Sequence, residues 1–373
     1  MTEWKECTLS ELGMIVGGAT PSTKVTENYE NGVIPWITPK DLSQHRNRYI
    51  SHGERNISER GLSSCSTRMM PKGTILFSSR APIGYVAIAT QSVCTNQGFK
   101  SIVPNDNVDS MFIYYLLKYE KDAIESLGSG TTFKEVSGNT MKNFVVTVPV
   151  KREVQSKIAS ILGTLDDKIE LNERINDNLE QQIFALYHSK YQYPSSNNCW
   201  HDGCVGDVVT LQRGYDLPKD KIINGVYPVV GSTNTVAYHR DFTTEPPCII
   251  MGRSGNIGKP RLYLQRCWAH NTTLFSKEFR DSNPFWVYAT LCSIDYGQFR
   301  GGSAVPTLNR NHVHKYPLAI PSKKLQDEFG EFALVLYSMI SKNIVQNEKL
   351  NALRNALLPK LMSGEIDVSN IDL

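Results

Sequence analysis

The chain is written twice. Trp4–Leu12 (WKECTLSEL) opens like Trp200–Val208 (WHDGCVGDV), and each opening leads into a glycine-containing, strand-like stretch and a proline ahead of an apolar run. Gly73–Ile88 (GTILFSSRAPIGYVAI) returns as Pro247–Leu264 (PCIIMGRSGNIGKPRLYL): a hydrophobic strand, a small residue, an arginine, and a turn closing on Ile-Gly. The arginines are Arg80 and Arg253; the Ile-Gly pairs are Ile83-Gly84 and Ile257-Gly258. Cys94 and Asn96 answer loosely to Cys267 and His270-Asn271. Each copy then has one helix. Asp109 caps a stretch from about Ser110 to Leu127 that Gly128 stops, and Asn283 caps another with Pro284 in its first turn. A Gly/Ser loop follows (Gly128–Phe133 and Gly301–Val305), and then a strand ending in proline, VVTVP at Pro149 and PLAIP at Pro321, 172 residues apart. That period is too long for a solenoid and suits duplicated domains.

Both copies run on into a long helical stretch. Counting heptads from Ile158, the a row is Ile158, Leu165, Asn172, Leu179 and Leu186, with Ile161 and Ile175 at d. Counting from Phe329, it is Phe329, Leu336, Asn343, Leu350 and Leu357, with Phe332, Met339 and Leu353 at d; Pro359 interrupts this helix late. Five heptads with an apolar seam predict a coiled coil between the two helices, with Leu165, Asn172, Leu179, Leu336, Asn343 and Leu350 as pairing residues. A single asparagine in each seam would fix register, because a slipped alignment strands its amide; the plainer alternative is a solvent-facing asparagine on an amphipathic helix. The expected fold is α+β, with two similar β-rich domains at residues 1–150 and 196–320. Helical spacers at residues 151–195 and 321–373 would form an antiparallel coiled coil with pseudo-two-fold internal symmetry. About 35 helical residues make a spacer of roughly 50 Å, the length of about 15 base pairs of duplex.

Composition narrows the class of protein. The 373 residues are 40% hydrophobic and 21% charged, ordinary globular values for two or three domains. No window approaches the ~18 consecutive apolar residues of a membrane span. Met1–Ser10 lacks the apolar core of a signal peptide, and the eight cysteines have no framework spacing. The expected location is the cytoplasm. The net charge is +3, and residues 196–320 carry 13 Lys and Arg against 9 Asp and Glu, which permits a nucleic-acid partner without requiring one.

Three catalytic or ligand-binding patterns fail on their own chemistry. An amino-methyltransferase needs Asn/Asp-Pro-Pro-aromatic and a glycine-rich donor loop; Asn283-Pro284-Phe285 is one residue short, and no such loop accompanies it. In GRSGNIGKP, residues 252–260, Gly258-Lys259 resembles the end of a phosphate loop, but Arg253 and Pro260 remove the cradle and the metal-binding hydroxyl. Cys199, His201 and Cys204, with His239, offer one zinc-like segment where structural zinc needs two. No metal site and no catalytic residues are expected.

LFSSRAPIGYVAI, the Gly/Ser loop followed by VVTVP and a helix, and the closing NALRNALLPKLMSGEI together resemble the specificity subunit of type I restriction–modification enzymes. The resemblance covers the whole chain, although SSRAPIG is replaced by GRSGNIG in the second copy. It implies a non-catalytic subunit in which each target-recognition domain reads one half of a split, double-stranded DNA sequence. It implies helices that dock two DNA-methyltransferase subunits, which recruit ATP-dependent restriction subunits. S-adenosylmethionine, ATP and Mg would then belong to the partners, and this chain would hold no cofactor. Two other readings stay open: a protein–protein adaptor with two heads on a helical spacer, and the recognition subunit of a modification-only system.

For DNA contact, Lys and Arg suit phosphates, while Arg, Asn, Gln, Ser and Thr suit base edges; loops on a β scaffold can carry both to a groove. The first candidates are Arg80 and Arg253, with Ser254, Asn256 and Lys259 in the turn of Arg253. The Gly/Ser loops come next: Gly130, Thr131, Thr132 and Lys134 in one copy, Gly302, Ser303 and Thr307 in the other, with Arg300 and Arg310 close by. Thr38 and Lys40, and Arg213 and Tyr215, come third. The ordinary alternatives are an arginine held by a carboxylate and a plain flexible connection.

Overall fold

The structure is a computed structural model that describes residues 3–45, 47–80, 82–130, 134–194, 199–299, 307–369 and 371. It divides into two compact units, Met1–Leu171 with Asn347–Leu373, and Asn172–Gln346. Among the described residues no helix is long and apolar enough to cross a membrane.

In the first unit, the opening strand Trp4–Thr8 pairs antiparallel with the closing strand Val145–Pro149. Between them a five-stranded sheet runs in the order Gly13–Gly17, Lys100–Pro104, Ile75–Ser79, Ile83–Ala89 and Tyr49–Ile50. A three-stranded sheet runs Arg55–Ile57, Ile34–Ile37, Cys94–Thr95. Ile75, Leu76 and Phe77 are fully buried, which explains why this strand reads as an unbroken apolar run and not as an alternation. Helix Ser110–Tyr119, capped by the Asp109 carboxylate on the Phe112 N–H at 2.9 Å, lays Phe112, Ile113 and Tyr115 into the same core. The stretch expected as one helix breaks at Glu120 and resumes as Lys121–Ser126.

The second unit repeats this order. Trp200–Cys204 pairs with Pro317–Pro321. The four-stranded sheet is Thr210–Arg213, Thr273–Glu278, Cys248–Gly252, Gly258–Tyr263, and the three-stranded sheet is Thr235–His239, Tyr227–Val230, Trp268–Ala269. Helix Pro284–Cys292 stands where Ser110–Tyr119 stands in the first copy, capped by Asn283. The repeated Ile-Gly has a backbone cause. Gly84 and Gly258 sit at φ +96° and +76°, a left-handed turn that admits glycine without strain and starts the return strand in each copy.

One repeated device escaped sequence reading. The buried Gln155 amide donates to the Pro149 carbonyl at 2.9 Å and accepts from the Asp109 N–H at 3.1 Å. Gln326 does the same with the Pro321 carbonyl, 3.0 Å, and the Asn283 N–H, 2.9 Å. Each glutamine ties the start of a long helix to the end of the closing strand and to the cap of the domain helix.

The long helices are Arg152–Leu186, 35 residues, and Lys323–Met362, 40 residues. Pro359 lies inside the second and does not interrupt it; so near the end it removes few backbone bonds. In each unit the paired segments run antiparallel. Within the first, Asp166 meets Arg354, and the Ile169 carbonyl accepts from Asn347 at 3.3 Å. Within the second, Asn172 meets Gln346 and Asn176 meets Asn343, both at 2.8 Å, and Tyr187 packs on Phe329. The a row faces the seam: Leu179 is buried, Leu165, Leu336 and Leu350 are half-buried, and Asn172 is 1% exposed.

The companion row is not the one expected. Ile175, Phe332, Met339 and Leu353 are 37–47% exposed. The row that closes the seam lies four residues after each a position: Leu162, Ile169, Asn176 and Ile183 on one helix, Ala333, Ile340, Asn347 and Arg354 on the other. Spacings of four then three also make a heptad seam, so Ile175, Phe332, Met339 and Leu353 are left outward, while Ile161 packs on the core of the first unit. Asn172 and Asn343 do not bond each other; each takes a different polar residue of the opposite helix.

Candidate nucleic-acid interface

Strand direction gathers the loops of each unit at one sheet end. In the first, Gly17 pairs with Lys100 and Ser78 with Phe99, so the end of one strand, the start of the next and the Arg80 turn lie side by side. The Asn96 N–H donates to Ile37 at 3.0 Å, and Gly98 lies against Pro39, bringing Thr38 to this end. The Gly/Ser loop folds back onto it: Arg80 bridges Glu135, as does Ser129, which places Gly130 and Lys134 beside the turn. In the second unit Ser254 bridges Thr307, and Tyr215 bridges His270.

Backbone bonds settle which residues correspond. Val136 N–H donates to the Ser79 carbonyl, and Leu308 N–H to the Arg253 carbonyl; Ser79 N–H reaches Gly98, and Arg253 N–H reaches Thr272. Arg253 therefore occupies the place of Ser79, and Ser254 that of Arg80. The two arginines are not equivalents, and on a pleated strand a one-residue offset sends their side chains to opposite faces. The same bonds match Asn96 with His270 and Cys94 with Trp268, correcting the looser pairing with Cys267.

The side chains differ in how they are held. The Arg80 guanidinium lies 3.5 Å from Glu135 and is one-third exposed; Lys100, 3.2 Å from the same carboxylate, is an additional cation that sequence reading passed over. Its only sequence signal was a lysine at the head of a strand. Thr38 caps helix Pro39–Gln44 by bonding Asp41 at 2.7 Å, and Lys40 pairs with Glu54 at 2.8 Å. Arg213 Nε donates to the Asn271 carbonyl at 3.4 Å, and Tyr215, 44% exposed, stands edge-on to Trp268. Asn256 lies half-buried in the turn after Arg253. Lys259 leaves this group and lines a cavity of about 480 Å³ with Asp177, Glu180, Phe184, Tyr288 and Cys292, where burial and then Asp177 push the Glu180 carboxyl up. Arg310 is the first residue of helix Arg310–His314 and is exposed. Thr131, Thr132, Arg300, Gly302 and Ser303 lie outside the described residues. Among those described, no group of three His, Cys, Asp or Glu side chains could hold a metal ion.

Two β-rich domains of one design each carry a loop cluster of Arg, Lys, Asn, Gln, Ser and Thr side chains, and each is joined to a long paired helix. Residues 1–181 match the family model of the type I restriction modification DNA specificity domain. The chain is 31% identical to the type I restriction enzyme MjaIX specificity subunit of Methanocaldococcus jannaschii over 99% of this chain and 95% of that one. It is 30% identical to the EcoR124I/EcoR124II specificity subunit of Escherichia coli over 51% of this chain and 46% of that one. In fold it is similar to the crystal structure of a type I restriction–modification S subunit from M. genitalium, with a TM-score of 0.62 at 17% identity, covering 97% and 96% of the two chains. This chain belongs to the specificity subunits of type I restriction–modification enzymes.

Proposed function

We propose that each unit reads one half of a bipartite duplex DNA site and that the outward apolar stripe of the long helices docks two DNA-methyltransferase subunits. The carrying observation is the duplicated loop cluster: one backbone framework, twice, with different polar side chains on it. Ile175, Phe332, Val335, Met339 and Ile344, exposed on the helices of the second unit, and Leu353, exposed on that of the first, supply apolar docking surface. Methyl transfer, and any ATP-dependent restriction, belong to partner chains together with S-adenosylmethionine, ATP and Mg, and the complex works on DNA in the cytoplasm.

The test is a methylation map. The chain is co-expressed with its methyltransferase subunit in a methylation-free host, and modified bases are located by sequencing. Two short halves around a fixed gap are expected; a soluble complex that methylates nothing, or a continuous motif, overturns the reading. Binding of the complex to that site should also weaken steeply with salt: three phosphate contacts alone cost about 40-fold between 50 and 200 mM. Salt-insensitive binding would favour a protein ligand.

Arg80→Ala is expected to relax one position of one half-site by roughly 5- to 150-fold, the worth of one bidentate arginine–guanine contact. Glu135 keeps Lys100 as a partner, so the loop stays placed and the methyltransferase still co-purifies. Loss of that co-purification would make Arg80 a structural residue instead.

A further inference from the structure

The framework that aligns the two copies also brings one side-chain pair together twice. Ala19 N–H donates to the Thr95 carbonyl at 3.0 Å and Tyr215 N–H to the Ala269 carbonyl at 2.8 Å. Asn96 N–H reaches the Ile37 carbonyl and His270 N–H the Val230 carbonyl, both at 3.0 Å. Gly18 and Gly214 make the crossing possible, since a Cβ at either would collide with the backbone of Thr95-Asn96 or Ala269-His270. Two residues past these glycines stand Thr20 and Asp216; one residue past Asn96 and His270 stand Gln97 and Asn271. In both copies the two positions are hydrogen-bonded: Thr20 Oγ1 donates to Gln97 Oε1, and Asn271 Nδ2 donates to Asp216 Oδ1.

Resting on the DNA-reading function above, we propose that Gln97 and Asn271 are equivalent specificity-determining residues, each reading the edge of one adenine, one in each half-site. A carboxamide sets a donor beside an acceptor, the complement of the adenine N7 acceptor and N6 amino donor in the major groove. The neighbour's bond leaves that capacity intact. Gln97 keeps its whole amino group and a second lone pair on Oε1; Asn271 keeps Oδ1 and one N–H. Thr20 and Asp216 are the positioning residues that fix the amide plane. Thr20 and Gln97 are exposed, so their bond contributes little to the core, yet the geometry recurs with different residue types. Gln97 is also next to Gly98, whose carbonyl holds the strand leading to Arg80, and Asn271 is next to Thr272, whose carbonyl holds Arg253. Each amide thus lies within the loop cluster of its own copy.

The experiment maps methylation by the full complex carrying Gln97→Ala or Asn271→Ala. Gln97→Ala is expected to make one adenine position of one half-site degenerate, with discrimination there falling roughly 5- to 150-fold and the other half unchanged. Asn271→Ala should do the same in the opposite half, and Thr20→Val should loosen the position that Gln97→Ala loosens. If a variant complex methylates nothing, its binding to duplexes substituted at each adenine of the wild-type motif is measured. Equal affinity for all four bases at one adenine supports the assignment, and the wild-type ranking overturns it. Unchanged motifs, a relaxed position that is not adenine, or both halves relaxing together also overturn it. A wild-type complex with no split motif would instead defeat the DNA-reading function on which the assignment rests.

Discussion

Asp166→Ala is expected to cost about 3–5 kcal/mol of stability, the loss seen when one member of a buried ion pair is removed and the other left behind. Asp166 is 5% exposed, accepts from the Tyr115 hydroxyl at 2.6 Å and from Arg354 Nη1 at 2.5 Å, and so joins the domain helix to both long helices inside the first unit. Beside it the buried Arg48 guanidinium takes the Tyr115 hydroxyl at 3.4 Å, Glu170 at 3.4 Å and Asp167. Burial works against the Arg48 charge, but Tyr115, Asp167 and Glu170 outweigh it and hold the proton more firmly than usual. Burial, and then Asp166, likewise push the Tyr115 hydroxyl up, so it stays a donor. Urea unfolding of the full chain measures the loss. The double replacement Asp166→Leu with Arg354→Leu should recover part of it, because an apolar pair avoids desolvating two charges while the Tyr115 hydroxyl still loses its acceptor. The second copy has made that exchange: one copy-length on in the seam, Asp166 becomes Tyr337, and Arg354 corresponds to Ile183, both buried among aromatic and aliphatic side chains. A loss below 1 kcal/mol for Asp166→Ala would show the network to be solvent-relaxed and not structural.

The duplication was legible because it is written in residues whose backbone demands are local. The left-handed turn needs Gly84 and Gly258, a helix start accepts Asp109 or Asn283-Pro284, and a strand may end in Pro149 or Pro321. What local patterning cannot supply is which strand lies beside which. Arg80 and Arg253 align by eye because both are arginines after a small residue, and only the bonds from Val136 and Leu308 show them to be offset by one. The second seam row failed for a related reason. The rows three and four residues ahead each mix apolar and polar residues on these helices, and Phe332, Met339 and Leu353 are as hydrophobic as Ala333 and Ile340. Burial against the antiparallel partner selects between the rows, and that is a tertiary choice. Gln97 gave no signal at all: a polar residue before a glycine is ordinary, and its importance comes from Thr20, 77 residues away in sequence.

Deleting one heptad from both long helices together, residues 172–178 with residues 343–349, is expected to shorten the gap between the half-sites by about 3 base pairs and leave both halves unaltered. Seven residues are about 10 Å of helix, and a base pair rises ~3.4 Å. The paired deletion keeps the seam in phase, since Leu165 and Ile169 are followed by Leu179, and Leu336 and Ile340 by Leu350. It also removes Asn172 together with Gln346 and Asn176 together with Asn343, so both members of each of these cross-helix amide pairs go at once. Deleting the heptad from the first helix alone leaves Asn343 and Gln346 facing residues that cannot bond them, and assembly should fail. The methylation map reads both results directly. A shortened gap with unchanged halves assigns the helices the role of setting the distance and the β-rich domains that of reading sequence. An intact complex that keeps the original gap would mean that the distance is set elsewhere, in the docked methyltransferases or in the DNA they bend.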